Sequence, residues 1–328
     1  MIFWRHKMKL KKILGTLGCA LLLYSSVGYA AYPDRPITLI VPFPPGGSTD
    51  VVARIIANKA QTILGQNIVV ENRAGAGSII GTNAIAKAAP DGYTIGMGQT
   101  AFAVNASLSK NLPYDTLKDF TPLVFIAEHA GVVLAQSQKP YNTFSEFIKY
   151  VKDNPGKVVY SSAGIGSWPH LSMVMLANDA NLSMLHVPYQ GTGPAKADLI
   201  AGRVDVKIEA YATSRGMIKE GQIKMLAVTS ENRIPELPNV PTVAELGYPG
   251  YETSYWIAVM GPAGLPPEVT SKLEKAFMET MKDPTVIAKL SEQSIVPKGL
   301  PAKDLSAHIK KEISKWAKVI KDGGLDKQ

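Results

Sequence analysis

The chain has a single cysteine in 328 residues, Cys19, so no intramolecular disulfide can staple the fold. Stability has to come from burial, which a composition 46% hydrophobic can supply. Acidic residues are absent from positions 1–30, which carry Arg5, Lys7, Lys9, Lys11 and Lys12. Long apolar runs are scarce as well. The run at 13–23, broken by Gly15 and Gly18, falls short of the roughly 20 residues that span a membrane. It ends near Gly28 and Ala30, small residues at the positions a signal peptidase reads. Residues 1–30 are therefore expected to be a signal peptide cleaved near Ala30, with Cys19 an apolar filler in it. Removing those five cations and no acid takes the formal charge of +8 to about +3, which gives no reason to invoke nucleic acid.

Several catalytic signatures are missing. There is no GxSxG elbow, and Trp168 breaks the pattern around Ser167. No HExxH or HxxxH pair occurs, since His129, His170, His186 and His308 are scattered. Gly-Lys-Ser/Thr is absent, which excludes a phosphate loop. Gly75, Gly77 and Gly81 follow a strand but give the looser GxGxxxG, and the acid expected about twenty residues on, Asp91, lies in a turn. No catalytic residue, metal or cofactor is expected.

What the sequence does hold is strand–helix alternation and glycine turns. Apolar 37–41 leads through Pro42-Phe43-Pro44-Pro45-Gly46-Gly47 into a helix from Ser48, whose N-cap could be Ser48, Thr49 or Asp50 and whose stop is Gly65. Further strands are expected at 67–71, 93–97, 157–161, 183–188, 204–208, 223–228 and 254–260. Helices are expected at 78–89, 143–153 with a Thr143/Glu146 capping box, 167–179 and 193–201, and after Ser214. A long β-type run, 120–136, has a polar break at Glu128-His129. Two long helices close the chain, 266–281 and 302–320, the second with a docking stripe of Leu305, Ile309, Ile313, Trp316 and Ile320. This pattern predicts an α/β fold with parallel-rich sheets. Three glycine-rich turns, 42–49, 74–81 and 161–170, stand at strand-to-helix junctions, where an open α/β sheet places its ligand. Helix N-termini there suit an anion.

PFPPGGSTD, VVENRAGAGSIIG, AAPDGYT, YSSAGIGSWPH, VPYQGTGPA, AGRVDV, GQIKMLAVTS and PNVPTVAELGYPGY occur in one order. Together they resemble the Bug-type periplasmic solute-binding proteins of tripartite tricarboxylate transporters, over 32 to near the C-terminus. The resemblance implies a two-lobed α/β periplasmic binding protein of type II-like fold, with mixed or parallel sheets and a ligand cleft between lobes. It implies a discontinuous first domain, 31–125 plus 253–328, and a second at 126–252. Its implied ligand is a small organic acid, di-, tri- or aromatic carboxylate. Its implied partners are the membrane subunits of such a transporter, with the chain a monomer.

Carried onto this chain, the family's backbone-rich carboxylate site maps to Phe43, Pro45, Gly46, Ser48 and Thr49, with Ala76 and Gly77 beside them. In the second domain it maps to Ser161, Gly164, Gly166, Ser167, Trp168 and His170, then Tyr189, Gly191 and Glu209. The chain also departs from the pattern. Glu209 replaces the family's aspartate, with Lys207 two residues before it and on the same face of a strand. Two alternatives stand beside transport: a sensor module docking on a membrane receptor, and an exported α/β enzyme using Glu209 and His170.

Overall fold

The computed structural model describes residues 32–327; the expected signal peptide, with Cys19, lies outside them. Residues 35–327 lie within a compact unit of their own. Among the described residues no helix is long and apolar enough to cross a membrane.

Ten strands form one mixed sheet in the order β2–β1–β3–β9–β4–β7–β5–β6, with β8 and β10 also pairing with β4. Strands β1 (Ile37–Val41), β2 (Ile68–Asn72) and β3 (Thr94–Gln99) are parallel, and β3 meets β9 (Ser254–Pro262) antiparallel. Strand β4 (Phe120–Gln136) belongs to both ends of the sheet. Its pairing with β9 ends at Ala130, and its pairing with β7 (Val206–Ala210) begins at Gly131. β10 (Val296–Pro301) flanks its first half and β8 (Ile223–Val228) its second. β5 (Val159–Ser162) and β6 (Leu185–Pro188) extend the β7 side in parallel.

The helices are α1 (Ser48–Leu64), α2 (Ile79–Ala86), α3 (Thr100–Leu108), α4 (Phe144–Asp153), α5 (Trp168–Ala180), α6 (Thr192–Ile200), α7 (Tyr211–Lys219), α8 (Pro267–Thr280), α9 (Pro284–Glu292) and α10 (Ala302–Asp322). The stop of α1 at Gly65 is left-handed, as expected. The Thr143/Glu146 capping box is complete. On α10, Leu305, Ile309, Trp316 and Ile320 are buried in the core, with Ile313 partly buried against it.

Two expectations are corrected, and three elements were not foreseen. The N-cap of α1 is Gly47, so Ser48, Thr49 and Asp50 lie inside the first turn. The Glu128-His129 pair does not break β4, because Glu128 pairs with Lys298 of β10 at 2.6 Å and His129 packs edge-on to Tyr255. Helix α3 carries no amphipathic signal, being buried at Thr100, Phe102, Ala103, Val104, Asn105 and Leu108. Helix α9 and strand β10 follow Asp283, whose carboxylate caps α9 by accepting from the N–H groups of Thr285 and Val286. The sequence reading placed neither.

Candidate functional site

The carboxyl ends of β1, β3, β5 and β7 and the turns that follow open on one cavity of about 940 Å³. Such strand ends are where open α/β sheets bind ligands.

The first wall is the β1–α1 turn, from Phe43 to Thr49. The leading N–H groups of a helix have no intrahelical acceptor, and those of Gly47, Ser48 and Thr49 find no other among the described residues. Gly46 differs: its N–H donates to Asp50 Oδ2 at 2.9 Å. Asp50 also accepts from Arg54 Nε at 3.0 Å and from Asn72 Nδ2 at 2.9 Å, and Asn72 Nδ2 donates to Phe43 O at 3.0 Å. Burial alone would raise the Asp50 carboxyl, but bonds from Arg54, Gly46 and Asn72 outweigh it and hold it below its ordinary value. Asp50 thus fixes the turn from behind and does not line the cavity.

The second wall is the β2–α2 turn. Gly75, Ala76, Gly77 and Ser78 all have positive φ, and Ala76 and Gly77 face the cavity. Asn105 of α3 donates to Gly77 O at 3.0 Å and lines the cavity itself.

The third wall is the β5–α5 turn, in which three N–H groups bond within the turn or to the helix that follows. Gly164 N–H donates to Ser162 Oγ at 3.1 Å, Ser167 N–H and Oγ both donate to Gly164 O, and Gly166 N–H donates to His170 Nδ1 at 3.1 Å. His170 stacks on His186 at 4.1 Å, and His186 on Tyr160 at 4.7 Å. Burial, then the neighbouring His186, pushes His170 down to about 4. It is neutral at pH 7, as an acceptor for Gly166 N–H requires. Trp168 begins α5 and packs against β4 at Gly131, where a Cβ would come 2.7 Å from its ring.

The floor is β4, β7 and β9. Tyr255 stands edge-on to His129 at 5.8 Å and to Trp168 at 6.1 Å. Both ring nitrogens of His129 are buried without a partner among the described residues, and burial pushes the imidazole down to about 4. Glu209 closes the β7 end. Its Oε2 accepts from the Thr192 hydroxyl and lies 3.2 Å from Lys207 Nζ, and its Oε1 accepts from Ala210 N–H at 3.0 Å.

Of the residues the sequence pointed to, Phe43, Pro45, Gly46, Ser48, Thr49, Ala76, Gly77, Gly166, Ser167, Trp168 and Glu209 line this cavity. Ser161, Gly164, His170, Tyr189 and Gly191 do not. His170 braces the third turn, and Tyr189 donates its hydroxyl to Asp198. Sequence reasoning missed Gln99, Asn105 and Leu108, carried in at the start of the undetected α3 and along it, and Tyr255, hidden in an apolar strand. His129 carried a signal, the polar interruption of an otherwise apolar run.

This architecture is that of a periplasmic solute-binding protein. The family described as "Tripartite tricarboxylate transporter family receptor" matches residues 52–325. The chain is 36% identical to Protein BugT of Bordetella pertussis over 327 residues, 97% of this chain and 99% of BugT. It superposes on periplasmic binding protein BugD with a TM-score of 0.77 at 36% identity, covering 90% of this chain and all of BugD. An R. palustris protein solved with adipate gives 0.80 at 34% identity, covering 90% and 99%. The chain belongs to the tripartite tricarboxylate transporter receptor family.

Proposed function

We propose that this protein captures a small organic carboxylate in the cavity, closes on it, and presents it to the membrane subunits of a tripartite tricarboxylate-type transporter. The observation that carries the reading is the row of N–H groups on Gly47, Ser48 and Thr49, unpaired among the described residues, opening into the cavity. A helix N-terminus contributes about 0.3–2 kcal/mol towards an anion, and each charge-assisted bond about 1.5–3 kcal/mol. The structure solved with adipate supports the ligand class.

In this reading Phe43, Pro45, Gly46, Ser48, Thr49, Ala76, Gly77, Gly166, Ser167, Trp168 and Glu209 contact the ligand, while Ser161, Gly164, His170, Tyr189 and Gly191 shape the second lobe behind them. The lobes are 31–125 plus 253–328 and 126–252, hinged where β4 passes from β9 to β7. Closure is favoured because the closed form alone offers both sets of contacts at once. The chain acts as a monomer in the periplasm after loss of residues 1–30.

A thermal-shift screen of the purified protein against a carboxylate panel tests this. A true ligand at a hundred times its dissociation constant stabilises by about 2.7 kcal/mol. A panel in which no acid raises the melting temperature contradicts the proposal.

A further inference from the structure

The cavity lining contains one side chain with a formal charge, and it is negative. That residue is Glu209, at the carboxyl end of β7. Its Oε2 accepts from the Thr192 hydroxyl and its Oε1 from the Ala210 N–H, while Lys207 Nζ lies 3.2 Å from Oε2 in a buried ion pair without a hydrogen bond. Both oxygens therefore act as acceptors, the role a carboxylate offers a donor group. Lys207 is fully buried and does not line the cavity, so it stands behind Glu209 with respect to any ligand. Lys196, another cation near this end, is half-buried and spends its ammonium on Thr213 O at 3.0 Å. From inside the cavity the nearer charge at this end is the carboxylate, and the nearer charge dominates the local field.

We propose that Glu209 makes this end of the cavity reject a second carboxylate and accept a hydrogen-bond donor, so that the preferred ligand is a monocarboxylate whose far terminus carries an ammonium or hydroxyl group. This rests on the carboxylate-capture reading and narrows its ligand class. The ligand's acid group takes the N–H row of the first turn, and its far terminus donates to Glu209. A dicarboxylate would set two like charges together in a water-poor site, which is costly. Lys207 holds Glu209 by its buried ion pair and gives the ligand nothing directly.

The test uses the intact protein and matched acids: succinate, adipate and terephthalate, each beside the analogue in which one carboxylate is replaced by an aminomethyl or hydroxymethyl group. Dissociation constants are measured by calorimetry for the wild type and for Glu209→Gln. In the wild type the best amino or hydroxy analogue should bind at least about tenfold tighter than its dicarboxylate partner. Glu209→Gln removes the negative charge and leaves Lys207 behind it, so the order should reverse. Equal or tighter dicarboxylate binding in the wild type overturns the inference while leaving carboxylate capture intact. An order unchanged by Glu209→Gln overturns it too. If no acid of either kind binds, the capture reading fails and this one with it. Should the variant not fold, the wild-type ranking decides alone.

Discussion

The hydroxyls of Thr49 and Tyr255 lie 3.0 Å apart although 206 residues separate them. Thr49 is in the first turn of α1, within the unpaired N–H row, and Tyr255 is on β9 in the cavity floor. This bond ties the anion-facing helix end to the strand that leads back from the β7 side of the sheet. Tyr255→Phe should cost about 0.5–1.5 kcal/mol of stability, a typical net hydrogen-bond contribution, read as a lowered urea midpoint. An unchanged midpoint would show that the pair contributes nothing.

Gly47 can be tested without disturbing the fold. It has an ordinary negative φ of −78°, and an added Cβ would meet only Pro44 O at 3.7 Å. Gly47→Asp places a carboxylate at an N-cap position, where it stabilises a helix. The melting temperature of the free protein should therefore hold or rise, while ligand-induced shifts disappear. Ligand shifts that persist would place the acid group somewhere other than the first turn.

Gly131 seats Trp168 on β4. A Cβ there would lie 2.3 Å from Thr229 Oγ1 and 2.7 Å from the indole. Gly131→Ala should cost about 1–3 kcal/mol, as overpacking does, and weaken ligand binding by displacing a wall of the cavity. Denaturant titration with parallel ligand titration reads both effects. A variant as stable as the wild type would mean that the indole shifts freely.

His129 predicts an acid limb of stability. Its pKa falls from 6.5 to about 4 on folding because burial disfavours the cation. Between those pH values the unfolded chain holds a proton that the folded chain does not. Stability is therefore full above about pH 6.5 and is lost as pH falls towards 4, at no more than about 1.4 kcal/mol per pH unit for this one group. His129→Leu removes a buried imidazole without partners, so stability at neutral pH should hold or rise and the acid slope should shallow by one proton. Urea midpoints across this pH range measure it, and an unchanged slope would mean that the folded imidazole titrates normally.

The glycine turns, Gly65 and the Thr143/Glu146 box were legible because each signal is local. Glycine supplies a backbone state that few residues adopt, and the box needs only four consecutive positions. The α10 stripe was legible because one face alone is buried. Helix α3 was not, since a helix buried around most of its circumference has no polar face to set the period. The same cause hid Asn105 and Leu108. His170 was expected to meet the ligand from its place beside a glycine turn, but a first-turn side chain can also reach back to its own loop, and here it accepts the Gly166 N–H. Sequence spacing does not distinguish those two directions. Tyr255 was invisible because its partner Thr49 is reached only through the sheet order.

The most direct test of carboxylate capture is a crystal structure of the protein with its tightest-binding acid. The account predicts one carboxylate of that ligand on the N–H groups of Gly47, Ser48 and Thr49, within the cavity lined by Trp168 and Tyr255. A ligand bound outside this cavity, or an acid group held chiefly by lysine or arginine side chains, would contradict it.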